Sequence, residues 1–496
     1  MLSNLRAHHA LFVLPLLGIG CKGDDRQADT PKAEPKAAAA QSKKAEPTAP
    51  LAVATLPTDS GAHEAPLRMA VSHGGTGTDA ARGLAIDKNG DYLVCGYFKG
   101  KGIFGKDFAS EDSSAYVVKL SKDDGSVEWA VSLGGTSTDS AEALAVAPDG
   151  GTVVVGSFSG DLAIGDGTLS AEGADDMFIT KIAADGHRLW AKRIGGLDID
   201  AADAVAIDNA GNVYVTGVFR GKVIFGEQEI VSSGNSDIFL SKLSPDGAFL
   251  WTKSFGSMGQ DFGRDLAIDS AGNIILLTEI SLLVSFGGEP LTTNGNRDIA
   301  LVKLDANGEH IWSKSIGNNY DDLGISVSLD PADNLLITGS FEDTINFGGD
   351  DLKATGRSDM YVAKLDTNGT HLWSTSFGGK DKDWGNDIAT DSFGNIYVTG
   401  WFWFDVMFGE TKLVSKGKED IFLVKLAPTG TLLWAKSFGD TSLDKGSAVA
   451  TDATNGVVAV GAYNNKIDFG AGELTPTPGP DAKILKGDFY LSSFGR

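Results

Sequence analysis

Six tryptophans, Trp129, Trp190, Trp251, Trp312, Trp373 and Trp434, stand 61 residues apart. Two further registers keep the same step. Phe-Gly pairs begin at Phe225, Phe286, Phe347, Phe408 and Phe469, and an aspartate recurs at Asp200, Asp261, Asp322, Asp383 and Asp444. Three interleaved registers of one period mean tandem copies of a single unit. A unit this small buries its apolar face only against neighbouring copies.

One copy reads as four strands. In the third, Asp203-Ala204-Val205-Ala206-Ile207 is short and apolar and runs into the turn Asp208-Asn209-Ala210-Gly211-Asn212. Val213–Phe219 is β-branched and aromatic, as a strand should be. A connection of about twenty residues carrying Phe225-Gly226 leads to Asp237–Leu243, a Pro-Asp-Gly turn and Phe249–Phe255. Asx and Gly recur at the hairpins because they accept positive φ, and no stretch has a helical period. Four antiparallel strands per copy, repeated radially, predict an all-β β-propeller.

The ends give the blade count. Fourth-strand sequences occur seven times, and the earliest, Met69-Ala70-Val71-Ser72-His73-Gly74, precedes any complete copy. The last copy reaches a third strand at Asp488–Phe494 without a fourth. The expectation is seven four-stranded antiparallel blades over 67–496, the N-terminal strand completing the last blade and removing an open edge.

The pattern Asp-x-x-Gly-Asn-x-x-Val-Thr-Gly, then Phe-Gly, Asp-Ile-Phe-x-x-Lys-Leu and Gly-x-x-Leu-Trp, resembles the bacterial seven-bladed β-propeller repeat family. The resemblance covers about 66–496. It implies the fold and a kind of protein common among secreted and lipid-anchored chains, and it supplies no catalytic residues. Departures are local: Thr278-Glu279 replaces Thr-Gly, and an insertion lies near Pro476–Pro480. The Gly-x-x-Leu-Trp hairpin is also similar to repeats of quinoprotein dehydrogenases and outer-membrane assembly propellers.

Ahead of the repeats, Arg6 precedes the apolar run Ala10–Gly20, which ends at Cys21. Eleven residues are too few to span a bilayer and suit a secretory signal. Leu17-Gly18-Ile19-Gly20-Cys21 resembles a lipobox, with Gly18 where Leu is usual. The reading is a signal peptide over 1–20, lipidation at Cys21, and a disordered Ala/Pro/Lys-rich tether over 21–66. It implies export and anchoring to the bacterial envelope, at the outer membrane or cell surface rather than the inner membrane.

Charge narrows the partners. Forty-two basic against 66 acidic residues leave −24, which repels nucleic acid. The membrane is met through the lipid alone, and the chain is expected to be a monomer. Cys95 stands where other copies have Val or Thr and reads as a small buried hydrophobe. His187, His310 and His371 sit beside outer turns, and no His-Glu-x-x-His, Gly-x-Ser-x-Gly or Cys-x-x-Cys motif occurs.

Two groups remain as candidate sites. Asp79, Asp139, Asp200, Asp261, Asp322, Asp383 and Asp444 each lie between a fourth strand and the next first strand. Sevenfold geometry would put their carboxylates around one channel mouth, where they either bind cations or accept N–H groups of their own turns. No cofactor is expected; calcium stays open at this ring. In the sixth copy Trp401, Trp403 and Phe404 replace segments such as Val218–Gly221, and Trp384 replaces small or polar residues. They are expected on one rim, where exposed aromatics suit sugar rings or a partner protein, or pack against a long loop. The chain therefore reads as a non-enzymatic binding or scaffold module for glycan or envelope protein. The alternative is a propeller enzyme, a quinoprotein-like oxidoreductase or a carboxylate-dependent hydrolase, for which no particular acidic pair stands out.

Overall fold

The computed structural model describes residues 65–135, 137–477 and 487–496; the signal segment, Cys21 and residues 21–64 lie outside them. Among the described residues every regular element is a strand, apart from a single 3-10 turn at Ile103–Gly105.

In the third copy the strands Ala201–Ile207, Val213–Phe219, Asp237–Leu243 and Phe249–Phe255 form one antiparallel ladder in chain order. Thr216 stands opposite Leu240, and Leu240 opposite Lys253. The ladder recurs with first strands Asp79–Ile86, Asp139–Val146, Ala201–Ile207, Phe262–Ile268, Asp322–Leu329, Asp383–Thr390 and Lys445–Thr451, numbered below in that order. Second and third strands such as Val213–Phe219 and Asp298–Leu304 are buried along their whole length. Both faces are covered, so their sequences are continuous apolar runs rather than alternating ones.

The core lies between ladders. Val153, Val155, Met177 and Ile179 of the second pack with Val213, Val215, Phe219 and Phe239 of the third. Each first strand lies against the first strands before and after it, and Lys445–Thr451 also touches Asp79–Ile86. The repeated tryptophan fastens the outside. Trp190 Nε1 and Lys181 Nζ both donate to the Pro245 carbonyl in the next ladder's outer turn, at 3.2 and 3.5 Å. Trp312 and Lys303 hold the Thr367 carbonyl in the same way, at 3.3 and 3.1 Å. The indole also roofs the turn: a Cβ added to Gly247 would lie 2.9 Å from the Trp190 ring.

Leu67–His73 pairs antiparallel with Gly487–Phe494, from Met69 opposite Ser493 to His73 opposite Phe489, in one sheet with the seventh ladder. Met69 occupies the tryptophan position and covers Gly125 of the first ladder's outer turn, while His73 Nε2 lies 3.0 Å from the Gly125 carbonyl. Ala65 is buried, and the Pro66 carbonyl accepts the Gly495 N–H at 2.7 Å, so these two residues belong to the packed body rather than to a tether. The long connection holds structure that its sequence hides. In the third ladder it folds as a hairpin, Lys222–Phe225 with Gln228–Val231, which buries Phe225.

Candidate functional site

The recurring aspartates stand at the start of each first strand or immediately before it. All seven, Asp79, Asp139, Asp200, Asp261, Asp322, Asp383 and Asp444, are 0% exposed. One carboxylate oxygen accepts the N–H four residues earlier, from Gly196 to Asp200, Ser257 to Asp261 and Gly379 to Asp383, each at 2.7 Å. In several ladders the other oxygen accepts the N–H twenty residues later, as from Arg220 to Asp200 at 3.0 Å and Ser281 to Asp261 at 2.7 Å. Where both contacts are made, as at Asp79, Asp200, Asp261 and Asp444, the carboxyl ties the loop entering a first strand to the loop leaving the second. Loss of water pushes Asp139, Asp322 and Asp383 up to about 8, Asp444 to about 7 and Asp200 to about 6. Among the described residues no three His, Cys, Asp or Glu are grouped as metal ligands.

A second recurring set, which the sequence reading missed, heads the third strands: Asp176, Asp237, Asp298, Asp359, Asp420 and Asp488, all buried. Ser233 N–H donates to Asp237 at 2.8 Å and Asn294 N–H to Asp298 at 2.9 Å. Their neighbour must be glycine, since a Cβ on Gly256 would fall 2.1 Å from Asp237 Cγ. The signal was available, because five of them, Asp176 to Asp420, repeat at the same 61-residue step.

The sixth ladder carries the aromatic group. Its second strand, Ile396–Phe408, runs straight into the hairpin that is separate in the third ladder and pairs with Thr411–Leu426. Trp403 supplies a β-favouring residue where the third ladder breaks at Arg220-Gly221. Trp384 lies opposite Trp401, and their rings stack at 5.2 Å and 27°. Trp401 is buried, with Lys445 Nζ 5.0 Å from its ring centre, so it backs the rim rather than lining it. Trp403 meets Phe404 edge to face at 6.1 Å. Its N–H donates to the Lys382 carbonyl at 3.2 Å, while its indole N–H is buried without a hydrogen-bond partner. Phe404 is 54% exposed and has φ 58°. The aromatic residues therefore form two couples, Trp384 with Trp401 and Trp403 with Phe404, and Phe404 is the most exposed ring.

A carboxylate pair also emerges on three successive first strands. Asp265 accepts Val327 N–H at 2.7 Å, Ser326 Oγ donates to Asp387 at 2.7 Å, and Asp387 accepts Val449 N–H at 2.7 Å. Burial, with the Asp387 charge adding to it, pushes Asp265 up to about 7, and burial pushes Asp387 to about 6. Other copies place Gly83, Ala143, Ala204 and Ala448 there. Nearby in sequence, Glu279 is buried and pairs with Arg264 at 2.8 Å and Arg297 at 3.2 Å. That ion pair accounts for the local departure at Thr278-Glu279.

Residues 372–401, from the fifth ladder's fourth strand into the sixth ladder's second, match the family described as Beta-propeller repeat. The fold is a β-propeller. Its blades are the ladders described above. An uncharacterised WD repeat-containing protein of Acanthamoeba polyphaga mimivirus is 24% identical over 430 residues, which are 68% of this chain and 30% of that protein, so this chain spans under a third of its relative. The quinohemoprotein alcohol dehydrogenase of Comamonas testosteroni is similar at 12% identity and a TM-score of 0.41, covering 86% of this chain and 76% of that one. BamB from Moraxella catarrhalis is similar at 12% identity and a TM-score of 0.37, covering 84% and 86%.

Proposed function

We propose that this chain is a seven-bladed propeller closed by Leu67–His73, working without chemistry of its own as a binding or scaffold module for glycan or protein at the cell envelope. It is exported and held there through lipidated Cys21; loss of labelled-lipid incorporation in Cys21→Ser checks the anchor, and unchanged labelling contradicts it. The observation that carries the binding reading is Phe404, a large ring kept exposed on a left-handed residue beside Trp403. Such backbone is costly and collects at functional sites. A glycan array and an envelope-protein pull-down with the wild type and Phe404→Gly provide the test. Glycine relieves the backbone while removing the ring, so the reading expects binding to fall with the fold intact. Unchanged binding in both assays contradicts this face.

One observation favours a second reading, a carboxylate-dependent hydrolase: Asp265 and Asp387, on the blades either side of Ser326, are held near neutrality. Hydrolysis of a chromogenic glycoside or ester panel, abolished by Asp387→Asn and kept in Phe404→Gly, would favour it over binding. An inert panel counts against it.

A further inference from the structure

Around the aromatic rim basic side chains cluster. The chain carries −24 overall, yet Arg357, Lys380 and Lys382 in loops of the fifth and sixth blades, and Lys416 and Lys418 in the strand Thr411–Leu426, gather here. Lys380, Lys416 and Lys418 are exposed. These loops touch one another: Arg357 N–H donates to the Asp381 carbonyl at 3.1 Å, Ser358 bridges Lys382, and Trp403 N–H reaches the Lys382 carbonyl. Trp403 in turn stands opposite Glu419, the neighbour of Lys418, and Lys445 ties Glu419 at 3.0 Å. Arg357 Nε is 3.6 Å from Asp381, and Lys416 donates to the Gly439 carbonyl at 3.2 Å. Lys380 and Lys418 have no carboxylate within ion-pair distance among the described residues.

Duplication does not account for this. Stepping back by whole repeats, Lys380 becomes Asn319, Met258 and Leu197, and Lys382 becomes Asp321, Gln260 and Ile199. Lys416 becomes Thr355, Asn294, Ser233 and Glu172. Lys380, Lys382 and Lys416 are thus particular to this sector among the copies compared, on the segments that meet Trp403 next to the exposed Phe404.

Resting on the sixth-blade binding reading, we infer that the ligand is an acidic polysaccharide, its charged groups met by the Lys380, Lys382, Lys416 and Lys418 ammonium groups and a sugar ring laid on Phe404. Lysine is a strongly hydrated point charge on a flexible stem, which suits spaced sugar carboxylates or sulfates rather than one planar fork. A neutral glycan would gain nothing from the cations. A peptide partner is usually anchored by its own side chains filling pockets, whereas here Phe404 and Met407 stand out from the surface, 54% and 39% exposed. A nucleic acid would meet the acidic remainder of the molecule.

The test measures binding of the full chain to polygalacturonate, uncharged dextran and polyglutamate at two salt concentrations. The inference expects polygalacturonate to bind at least about tenfold tighter than dextran and to weaken by about tenfold from about 50 to about 200 mM salt. Lys416→Glu with Lys418→Glu should weaken it by at least about tenfold. Phe404→Gly should weaken polygalacturonate several-fold and leave polyglutamate unchanged. Both variants sit at exposed positions, and unchanged thermal unfolding verifies their folding. Equal binding of polyglutamate that ignores Phe404→Gly would overturn the inference in favour of an acidic peptide. Dextran bound as well as polygalacturonate, lost in Phe404→Gly and untouched by the charge reversals, would overturn it while leaving the sixth-blade reading standing. Failure of all three polymers to bind also overturns it, and the pull-down then decides the broader reading.

Discussion

Gly160, Gly221, Leu282, Asp343, Phe404 and Asn465 occupy one repeat position, all with φ between 58° and 67°. Glycine, asparagine and aspartate fit that backbone; leucine and phenylalanine do not, at a cost of about 1–2 kcal/mol. Because Leu282 is 57% exposed, it recovers little of this by burial. Leu282→Gly should therefore raise stability by about 0.5–1 kcal/mol after glycine's own entropy loss, read as a higher denaturant midpoint with unchanged slope; a lower midpoint contradicts the strain. Phe404 was visible in the sequence as an odd aromatic, but its strain was not, because φ depends on where the hairpin leaves the second strand. Asp265 and Asp387 were equally visible as letters. What made them a pair, a serine on the blade between them, is a contact between repeats.

At the scale of elements, the 61-residue tryptophan step was legible and its reason was not. For Trp129, Trp190, Trp312 and Trp373 the indole's hydrogen-bond partner lies 55 residues downstream, in the next copy. Trp373 reaches the Pro428 carbonyl at 3.0 Å, whereas Trp434 has a buried N–H without a hydrogen-bond partner. Trp251 shares that unpartnered indole N–H. Trp373→Phe should cost about 1 kcal/mol more than Trp434→Phe, the worth of one net hydrogen bond. Equal losses in chemical denaturation would mean that the indoles serve by packing alone. The four strands of each blade were read correctly from β-branched runs. The extra hairpin escaped because two four-residue strands leave too short a pattern.

The molecule as a whole carries an unusual set of buried carboxyls. For Asp139, Asp322, Asp383, Asp444 and Asp265 the folded value lies above the unfolded one of about 3.9. Their contribution is complete below the unfolded value and is lost as pH rises through about 7 to 8. The outer-turn carboxylates run the other way. Lys303 and Asn273 hold Asp269 low, and Asn334 and Lys364 hold Asp330 low, both against the opposing pull of burial, so their contribution disappears as pH falls below the ordinary carboxylate range. Stability should peak on the acid side of neutrality, with a higher Tm at pH about 5.5 than at about 8.5; a Tm that rises steadily with pH would contradict these placements.

Closure of the ring is the claim on which the blade count and the sixth-blade rim both rest. It is tested most directly by native-state hydrogen exchange along Leu67–His73. The account predicts that amides of this strand paired with Gly487–Phe494 are protected to the same level as those of Val457–Asn464 in the same sheet, and exchange only with global unfolding. Exchange of Leu67–His73 in seconds, while Val457–Asn464 stays protected, would mean that the strand does not complete the last blade.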